Sequence, residues 1–149
     1  MQAEKLSKRV YFLEQYISFI NDINTQIRFT MQPIENIIKN CSSSNLFLNF
    51  INTVDKKIKK NNSFSKAWES SIYILKDKFF LKESEINLVK KFGEGLGVSD
   101  ILGQQAHCQM NLNFAKEALN LARDEKNKKG KLYKVLGVSA GVCVALIII

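Results

Sequence analysis

Two long stretches of the sequence carry apolar residues at alternating intervals of four and three positions. These intervals are typical of a helix that buries one stripe, and they do not suit a β-strand, whose side chains alternate with a period of two. The first stretch predicts a helix of about thirty residues that ends before Pro33, because the residue preceding a proline avoids the helical region. The stripe positions are Leu6, Val10, Leu13, Ile17, Ile20, Asn24, Ile27 and Met31 in the first stretch, and Ile101, Gln105, Cys108, Leu112, Ala115, Leu119 and Ala122 in the second.

Shorter apolar patterns lie between the two stretches, and none of them shows the alternation of a strand. A second stripe on the first helix, which includes Phe12 and Phe19, indicates packing on two sides. Trp68 is predicted to anchor the core of a fourth helix, although a partner-binding role is the alternative. The sequence therefore predicts an all-α bundle of about six helices, of which the short ones cover residues 34–38, 46–58, 64–79 and 84–92.

The most unusual passage is the glycine-rich segment from Phe92 to Asp100. It is not a dinucleotide-binding fingerprint, because Val98 stands where the third glycine would be and no strand precedes it. We predict a tight turn between helices, in which Gly93 permits close helix approach and Gly97 adopts a positive φ. Ser99 is expected to cap the following helix.

No arrangement of residues in the sequence predicts catalysis. His107 is the single histidine and has no helical neighbour able to share a metal with it. Cys108 falls on the apolar stripe, so an adjacent Cys–His pair would face different directions. Cys41, Cys108 and Cys143 form no metal-binding or disulfide pattern, which fits a reducing cytosol. We therefore predict a non-enzyme without cofactor, metal or small-molecule substrate.

The chain ends in an uncharged apolar run, residues 135–149, preceded by five lysines in residues 126–134. This pattern predicts a transmembrane anchor with Tyr133 and Lys134 at the membrane interface; a buried C-terminal helix is the alternative. The run would span about 22 Å, so the bilayer would have to thin locally from its ~30 Å core. Gly137 and Gly141 form a small-xxx-small pattern that would let another membrane helix pack closely.

The same lysines predict orientation and explain the charge. Lysines beside a spanning segment stay on the cytoplasmic side, so residues 1–125 are expected to form a cytosol-facing bundle. Residues 126–134 are then a basic juxtamembrane segment and residues 135–149 the anchor. The net charge of +8 falls to +3 without the five lysines. That remainder does not indicate nucleic-acid binding.

These pieces, in this order, resemble the stage III sporulation protein AB family of endospore-forming bacteria. Gln26 stands where the family has Glu. Members usually begin with a spanning helix, whereas residues 1–9 are polar, so the predicted topology depends on the lysine cluster alone. The residues that carry the resemblance are Lys8-Arg9, Thr25-Gln26-Ile27, Ala67-Trp68-Glu69, Leu88, Phe92-Gly93-Glu94, Leu96-Gly97, Asp100, Gln104-Gln105, His107, Lys131-Leu132-Tyr133-Lys134, Leu136-Gly137 and Gly141.

The resemblance implies a helical domain similar to the inner-membrane platform proteins of type II secretion and type IV pilus machines. It implies a place in the channel complex between mother cell and forespore, alongside other channel proteins and a secretion-type ATPase. The expected location is the mother-cell membrane around the forespore, with the bundle in the mother-cell cytosol. We predict partner contacts at Glu94, Asp100, Gln104 and Gln105, polar residues near one turn.

The competing hypothesis is a tail-anchored coiled-coil tether or adaptor. Such a protein would use the two apolar stripes to pair with helices of its partners instead of with each other. The aromatic-rich short helices between the stripes favour a self-contained bundle.

Overall fold

The computed structural model describes residues 2–41 and 45–148, and every regular element in these two ranges is an α-helix. The all-α prediction is therefore confirmed for the described part of the chain. The helices are α1 (Gln2–Phe29), α2 (Ile34–Cys41), α3 (Asn45–Lys59), α4 (Phe64–Glu69), α5 (Tyr73–Phe79), α6 (Glu83–Gly95) and α7 (Ile101–Ile148).

The two long helices, α1 and α7, pack antiparallel and form the axis of the bundle. Gln2 is hydrogen-bonded to Lys129, and Glu14 pairs with Arg123, so higher residue numbers on α1 lie beside lower residue numbers on α7. The predicted stripes of both helices are largely buried. The prediction is wrong at the far ends, because Met31 and Ile101 are exposed.

The second stripe of α1 is covered by the short helices. Phe19 stacks on Phe47 of α3 with ring centroids 4.8 Å apart, and Phe12 meets Phe79 of α5 at 5.2 Å. Phe50 contacts Trp68 edge to face at 4.9 Å. The short helices thus cover the second stripe of α1 while α7 covers the first, which confirms the predicted two-sided packing.

The predicted fourth helix is divided in two, which gives seven helices in the described ranges instead of about six. Between α4 and α5 the backbone turns tighter, with the N–H of Ser71 bonded to the carbonyl of Trp68 and that of Ile72 to Glu69. These are i to i−3 bonds, which shorten the helical turn. The Ser71 hydroxyl donates to the Ala67 carbonyl at 2.7 Å, a local bond of the kind that bends helices.

Helix α7 is 48 residues long and leaves the bundle beside the start of α1. It runs without a break through both predicted domain boundaries, at 125 and at 134. The predicted transmembrane helix is not supported, since none of the helices in the described ranges is long and apolar enough to cross a membrane. The apolar residues 135–148 would reach only about 21 Å, and lysines precede them. The alternative of a buried helix is wrong, because the described side chains of this segment are exposed.

Candidate functional site

The helical bundle has two ends with different surfaces. The distal end carries Phe29, Met31 and the turn between α6 and α7. The basal end lies opposite, where α7 leaves the bundle beside Gln2 and Lys129. Residues 101 and 129 are 28 positions apart, so the two ends are separated by about 42 Å along α7.

The turn at the distal end is built on a contact between Gly93 and Trp68. The indole Nε1 of Trp68 donates to the carbonyl of Val89 at 2.8 Å, which holds the ring against α6. A Cβ at Gly93 would overlap that ring. The predicted close approach at Gly93 is confirmed, and so is the predicted core position of Trp68.

Gln104 closes the turn from inside. Its Oε1 accepts from the backbone N–H of Gly97 at 3.0 Å. Its Nε2 donates to the carbonyl of Gly95 and to the hydroxyl of Ser99, both at 3.1 Å. Gly97 has a φ of +77°, which confirms its predicted left-handed conformation. Gln104 is buried, so its amide is used within the chain to hold the turn.

Asp100, and not the predicted Ser99, caps α7. Its Oδ1 accepts from the backbone N–H of Gly103 at 2.8 Å, which satisfies one of the free donors at the helix start. The carboxylate also remains exposed at the surface. Of the other predicted contact residues, Glu94 is exposed and Gln105 is half-buried. The structure thus places Glu94, Asp100 and Gln105 at the surface of one turn, with Gln104 beneath them.

His107 also supports the turn. Its Nε2 lies 2.8 Å from the carbonyl of Phe92, and its Nδ1 lies 3.3 Å from the amide nitrogen of Asn111. Since a carbonyl only accepts, Nε2 carries the proton and Nδ1 accepts from Asn111. The ring also occupies the space that a side chain at Gly95 would need. The arrangement supports a structural role for His107.

An apolar surface surrounds this turn. A groove of about 320 Å³ lies between the end of α1, the start of α2 and the turn, with Ile27, Ile34 and Ile101 in its walls. Met31, which is also in the wall, is 94% exposed, and Phe29 and Leu102, each within two residues of a wall residue along the chain, are 76% and 75% exposed. Exposed apolar side chains that lie together usually mark an interaction site. We name the distal apolar surface by its five exposed large side chains, Phe29, Met31, Val98, Ile101 and Leu102.

Sequence reasoning missed both this surface and an ion-pair network near the basal end. Arg9 is buried and makes three bonds to the carboxylate of Glu85, two of 3.1 Å and one of 2.6 Å. Its Nη1 donates to the Glu125 carboxylate at 3.0 Å. Arg9 ties α1 to α6 and α7 at once. The signal for this network in the sequence is that an arginine, Arg9, stands next to the stripe residue Val10.

Lys82 completes the network. Its ammonium pairs with Glu125 at 2.8 Å, and its backbone N–H donates to Glu85 at the start of α6. The bond from Lys82, together with that from Arg9, outweighs partial burial and lowers the pKa of Glu125 to about 2. The Glu125 carboxylate is therefore ionised at neutral pH.

The described thiols and acidic groups do not assemble into a reactive cluster. Burial raises the pKa of Cys41 to about 12 and that of Cys108 to about 11, so both thiols stay protonated at neutral pH. Within residues 2–41 and 45–148, no group of three or more His, Cys, Asp or Glu side chains could hold a metal ion.

The predicted membrane residues lie on α7 beyond the bundle. Lys134, Gly137 and Gly141 are exposed, and open space surrounds both glycines. The side chain of Tyr133 lies outside the described residues, so its predicted interfacial position stays a prediction. The helix-packing role of the two glycines also stays a prediction.

Together, the described residues define a helical-bundle protein with an exposed apolar end, a basic end and one long helix that connects them. Comparison with known proteins identifies the family. The family model described as stage III sporulation protein AB (spore_III_AB) matches residues 1–149, and the chain belongs to this family. The resemblance found in the sequence is thereby confirmed.

Two relatives support the assignment. Stage III sporulation protein AB of Bacillus subtilis (strain 168) is 28% identical over 152 residues, which cover 98% of this chain and 87% of the relative. A solved structure of stage III sporulation protein AB (SpoIIIAB) superposes with a TM-score of 0.67 at 24% identity. The match covers 81% of this chain and 98% of that structure, which shows a shared fold.

Proposed function

We propose that the chain is a non-enzymatic platform subunit of the complex that joins mother cell and forespore during sporulation. Membership in the stage III sporulation protein AB family supports a role in sporulation, and this is not a known enzyme family. The observation that carries the proposal is the distal apolar surface. Covering these side chains by a partner removes apolar area from water, which favours association.

The partner proposed for the distal end is a secretion-type ATPase. The sequence resemblance to secretion platforms is what points to this class of partner. Glu94, Asp100 and Gln105 stand beside the apolar surface as exposed or half-buried polar groups. Polar residues at the rim of an apolar patch select a partner and orient it more than they add affinity.

The other end of the molecule is proposed to attach to the mother-cell membrane, with the bundle in the mother-cell cytosol. The apolar side chains of α7 from Val135 to Ile147 that are described are exposed, and they gain free energy when lipid covers them. Lys131 and Lys134 precede them and are exposed, as expected for residues at a cytoplasmic headgroup layer.

A single rigid helix connects the two ends in this proposal. At about 1.5 Å per residue, α7 is about 72 Å long. Its first half is packed against α1, so displacement of the distal end would move the whole helix as one body. The platform would then transmit the movement of the ATPase to other membrane partners mechanically, without catalysing a reaction.

The coiled-coil tether was expected to use its stripes for pairing with partner helices. In the structure the stripes of α1 and α7 are buried within one core of the same chain. The pattern that suggested a tether is therefore used inside the bundle, and it no longer favours that hypothesis.

The test is a pair of substitutions at the distal end, Met31→Ser and Leu102→Ser, made together in the native host. Both side chains are exposed, so each change should alter stability by no more than about 0.5 kcal/mol. We expect normal protein levels, loss of co-purification with the ATPase and a sporulation block like that of a deletion. Normal sporulation of the double variant would contradict the proposed docking surface.

Two controls separate binding from folding. Leu121→Ser changes an equally exposed leucine of α7 away from the distal end and should leave sporulation intact.

Asp100→Asn removes a charge but keeps a side chain that caps helices well, whereas Asp100→Lys would also remove the cap. Glu94→Lys tests the rim without touching a cap.

A further inference from the structure

The basal end carries an aromatic residue in an unusual backbone conformation. Phe80 follows α5 with φ 56° and ψ 46°, the left-handed region in which helices usually end on glycine. A bulky side chain is rare there, and such outliers concentrate at functional positions. The conformation leaves the ring exposed at the surface.

Lysines surround this ring. The ammonium groups of Lys5 and Lys8 lie 5.1 Å and 5.3 Å from its centroid, within the range of cation–π attraction. Lys8 also pairs with Glu4 at 3.0 Å. A shallow pocket of about 190 Å³ lies beside the ring, with Lys82 and Lys129 also in its wall.

The charge at this end is strongly positive. Residues 1–9 carry a net charge of +2 and residues 123–134 a net charge of +4, which is six of the eight net charges of the chain. Glu125, which lines the same pocket, is already paired with Arg9, Lys82 and Lys129. The remaining positive charge complements an anionic surface.

The distance to the apolar segment fits a membrane surface. Lys129 and Val135 are six residues apart on α7, or about 9 Å. The headgroup layer on each side of a bilayer is roughly 5–8 Å thick. If the apolar residues from Val135 enter hydrocarbon, Lys129 lies just outside this layer, close enough for its long side chain to reach the headgroups.

We propose that the basal end of the bundle docks on anionic lipid headgroups, with Phe80 inserted among them and Lys5, Lys8, Lys82 and Lys129 facing phosphates. This inference rests on the proposed membrane attachment through α7 and adds a second contact to it. Two contacts fix the tilt of the bundle, so the distal end is held at a constant height above the membrane.

The test places a fluorescent reporter at the ring. Phe80→Trp keeps an aromatic side chain, while Trp68 is buried in the core and gives a constant background. The full chain is reconstituted into vesicles of phosphatidylcholine with or without phosphatidylglycerol, each containing brominated lipid. We expect the new tryptophan to be quenched in the anionic vesicles and much less in the neutral ones.

Tyr73→Trp is the matched control. Tyr73 is an exposed aromatic residue with Lys57 5.7 Å from its ring, but it lies at the other end of α5, about 10 Å away. It should not be quenched. Equal quenching at both positions would overturn the proposal, because the bundle would then lie on its side.

Charge reversal tests the lysines. Each basic residue near an anionic leaflet contributes about a fivefold factor. Lys5→Glu with Lys8→Glu should therefore shift the docked state by at least about 25-fold and abolish the quenching. Lys56→Glu with Lys60→Glu makes the same charge change at the end of α3 and just after it, and should leave the quenching intact. Equal effects of the two pairs would overturn the proposal.

Flotation of the vesicles separates this inference from the proposed function. Flotation without quenching at position 80 overturns basal docking and leaves the attachment through α7 in place. Failure of the full chain to float with either kind of vesicle contradicts both the basal docking and the attachment through α7. Phe80→Gly relieves the backbone conformation, so this variant should fold normally and still float with the vesicles. Without the aromatic ring, the bundle should lose its fixed tilt on the membrane. An unchanged tilt of the bundle would also overturn the inference.

Discussion

At the scale of single residues, Gly93 determines how closely two helices approach. Gly93→Ala places a methyl group into the indole of Trp68, whose position is fixed by its bond to Val89. We expect the free energy of unfolding to fall by about 1–3 kcal/mol, as for other overpacked cores. Urea denaturation followed by circular dichroism measures it.

Gly130→Ala is the matched control, because Gly130 is also helical but has open space around it. Alanine is the better helix former, so this variant should be as stable as the original chain or up to about 1 kcal/mol more stable. Similar losses in both variants would show that helix propensity, and not the contact with Trp68, explains the effect.

The sequence predicted the freedom needed at Gly93 and Gly97 but not the role of Gln104. The two glycines stand out because few other residues fit a close approach or a positive φ. The sequence predicted Gln104 at the surface together with Gln105, because both are polar residues near one turn. Gln104 lies four residues before the buried Cys108, on the same face of α7, so its side chain points inward onto the turn.

At the scale of elements, one arginine ties α1 to α6 and α7. Glu85→Gln leaves the buried guanidinium of Arg9 without its main partner. We expect a loss of about 3–5 kcal/mol in the free energy of unfolding, as measured for broken buried ion pairs. Chemical denaturation at neutral pH is the measurement.

Replacing both partners is the informative comparison. Arg9→Met with Glu85→Leu removes both charges and keeps apolar volume, so its stability should approach that of the original chain. If the double variant is as unstable as Glu85→Gln alone, the network contributes by its specific bonds and not by avoiding an unpaired charge.

Acid should weaken the same junction. The pKa of Glu125 is about 2 in the folded chain, below its ordinary value of 4.5, because Lys82 and Arg9 stabilise the carboxylate. The unfolded chain therefore binds the proton more readily. The contribution of Glu125 is complete above pH 4.5 and is lost as the pH falls towards 2.

The test of this acid dependence is the variant Glu125→Gln, which has no carboxylate to protonate. Its stability should depend less on pH between about 4.5 and 2 than that of the original chain. Identical pH profiles for the two chains would contradict the assignment.

The elements themselves were predictable where one helix buries one stripe. The bounds of α1 and the core positions of α7 follow from spacing and from Pro33. The division between α4 and α5 did not, because the apolar positions of residues 64–79 keep a helical period through it. The break depends on the local bond of the Ser71 hydroxyl and on packing against α3, and this packing is a tertiary effect that the apolar spacing does not show.

At the scale of the whole molecule, the core is complete within the bundle. Its buried apolar residues lie between Leu6 and Ala122 among the described positions. The last hydrogen bond that joins α7 to α1 comes from Lys129. The ion network and the aromatic contacts also lie before that point. After Lys131, the side chains that the structure describes are exposed and add nothing to the core.

A chain shortened to residues 1–131 should therefore fold by itself. We expect a monomer with a single cooperative urea transition, whose midpoint does not change with protein concentration. Phe12→Ala in the same shortened chain should lower the free energy of unfolding by about 3–5 kcal/mol, which shows that the transition reports the core.

The opposite result would change the interpretation of the whole molecule. A midpoint that rises with concentration would mean that the stripes of α1 and α7 pair between chains, as in a tether. Folding that requires a partner would lead to the same conclusion. A stable monomer instead leaves the distal apolar surface as the exposed region for a partner, since the stripes are already occupied.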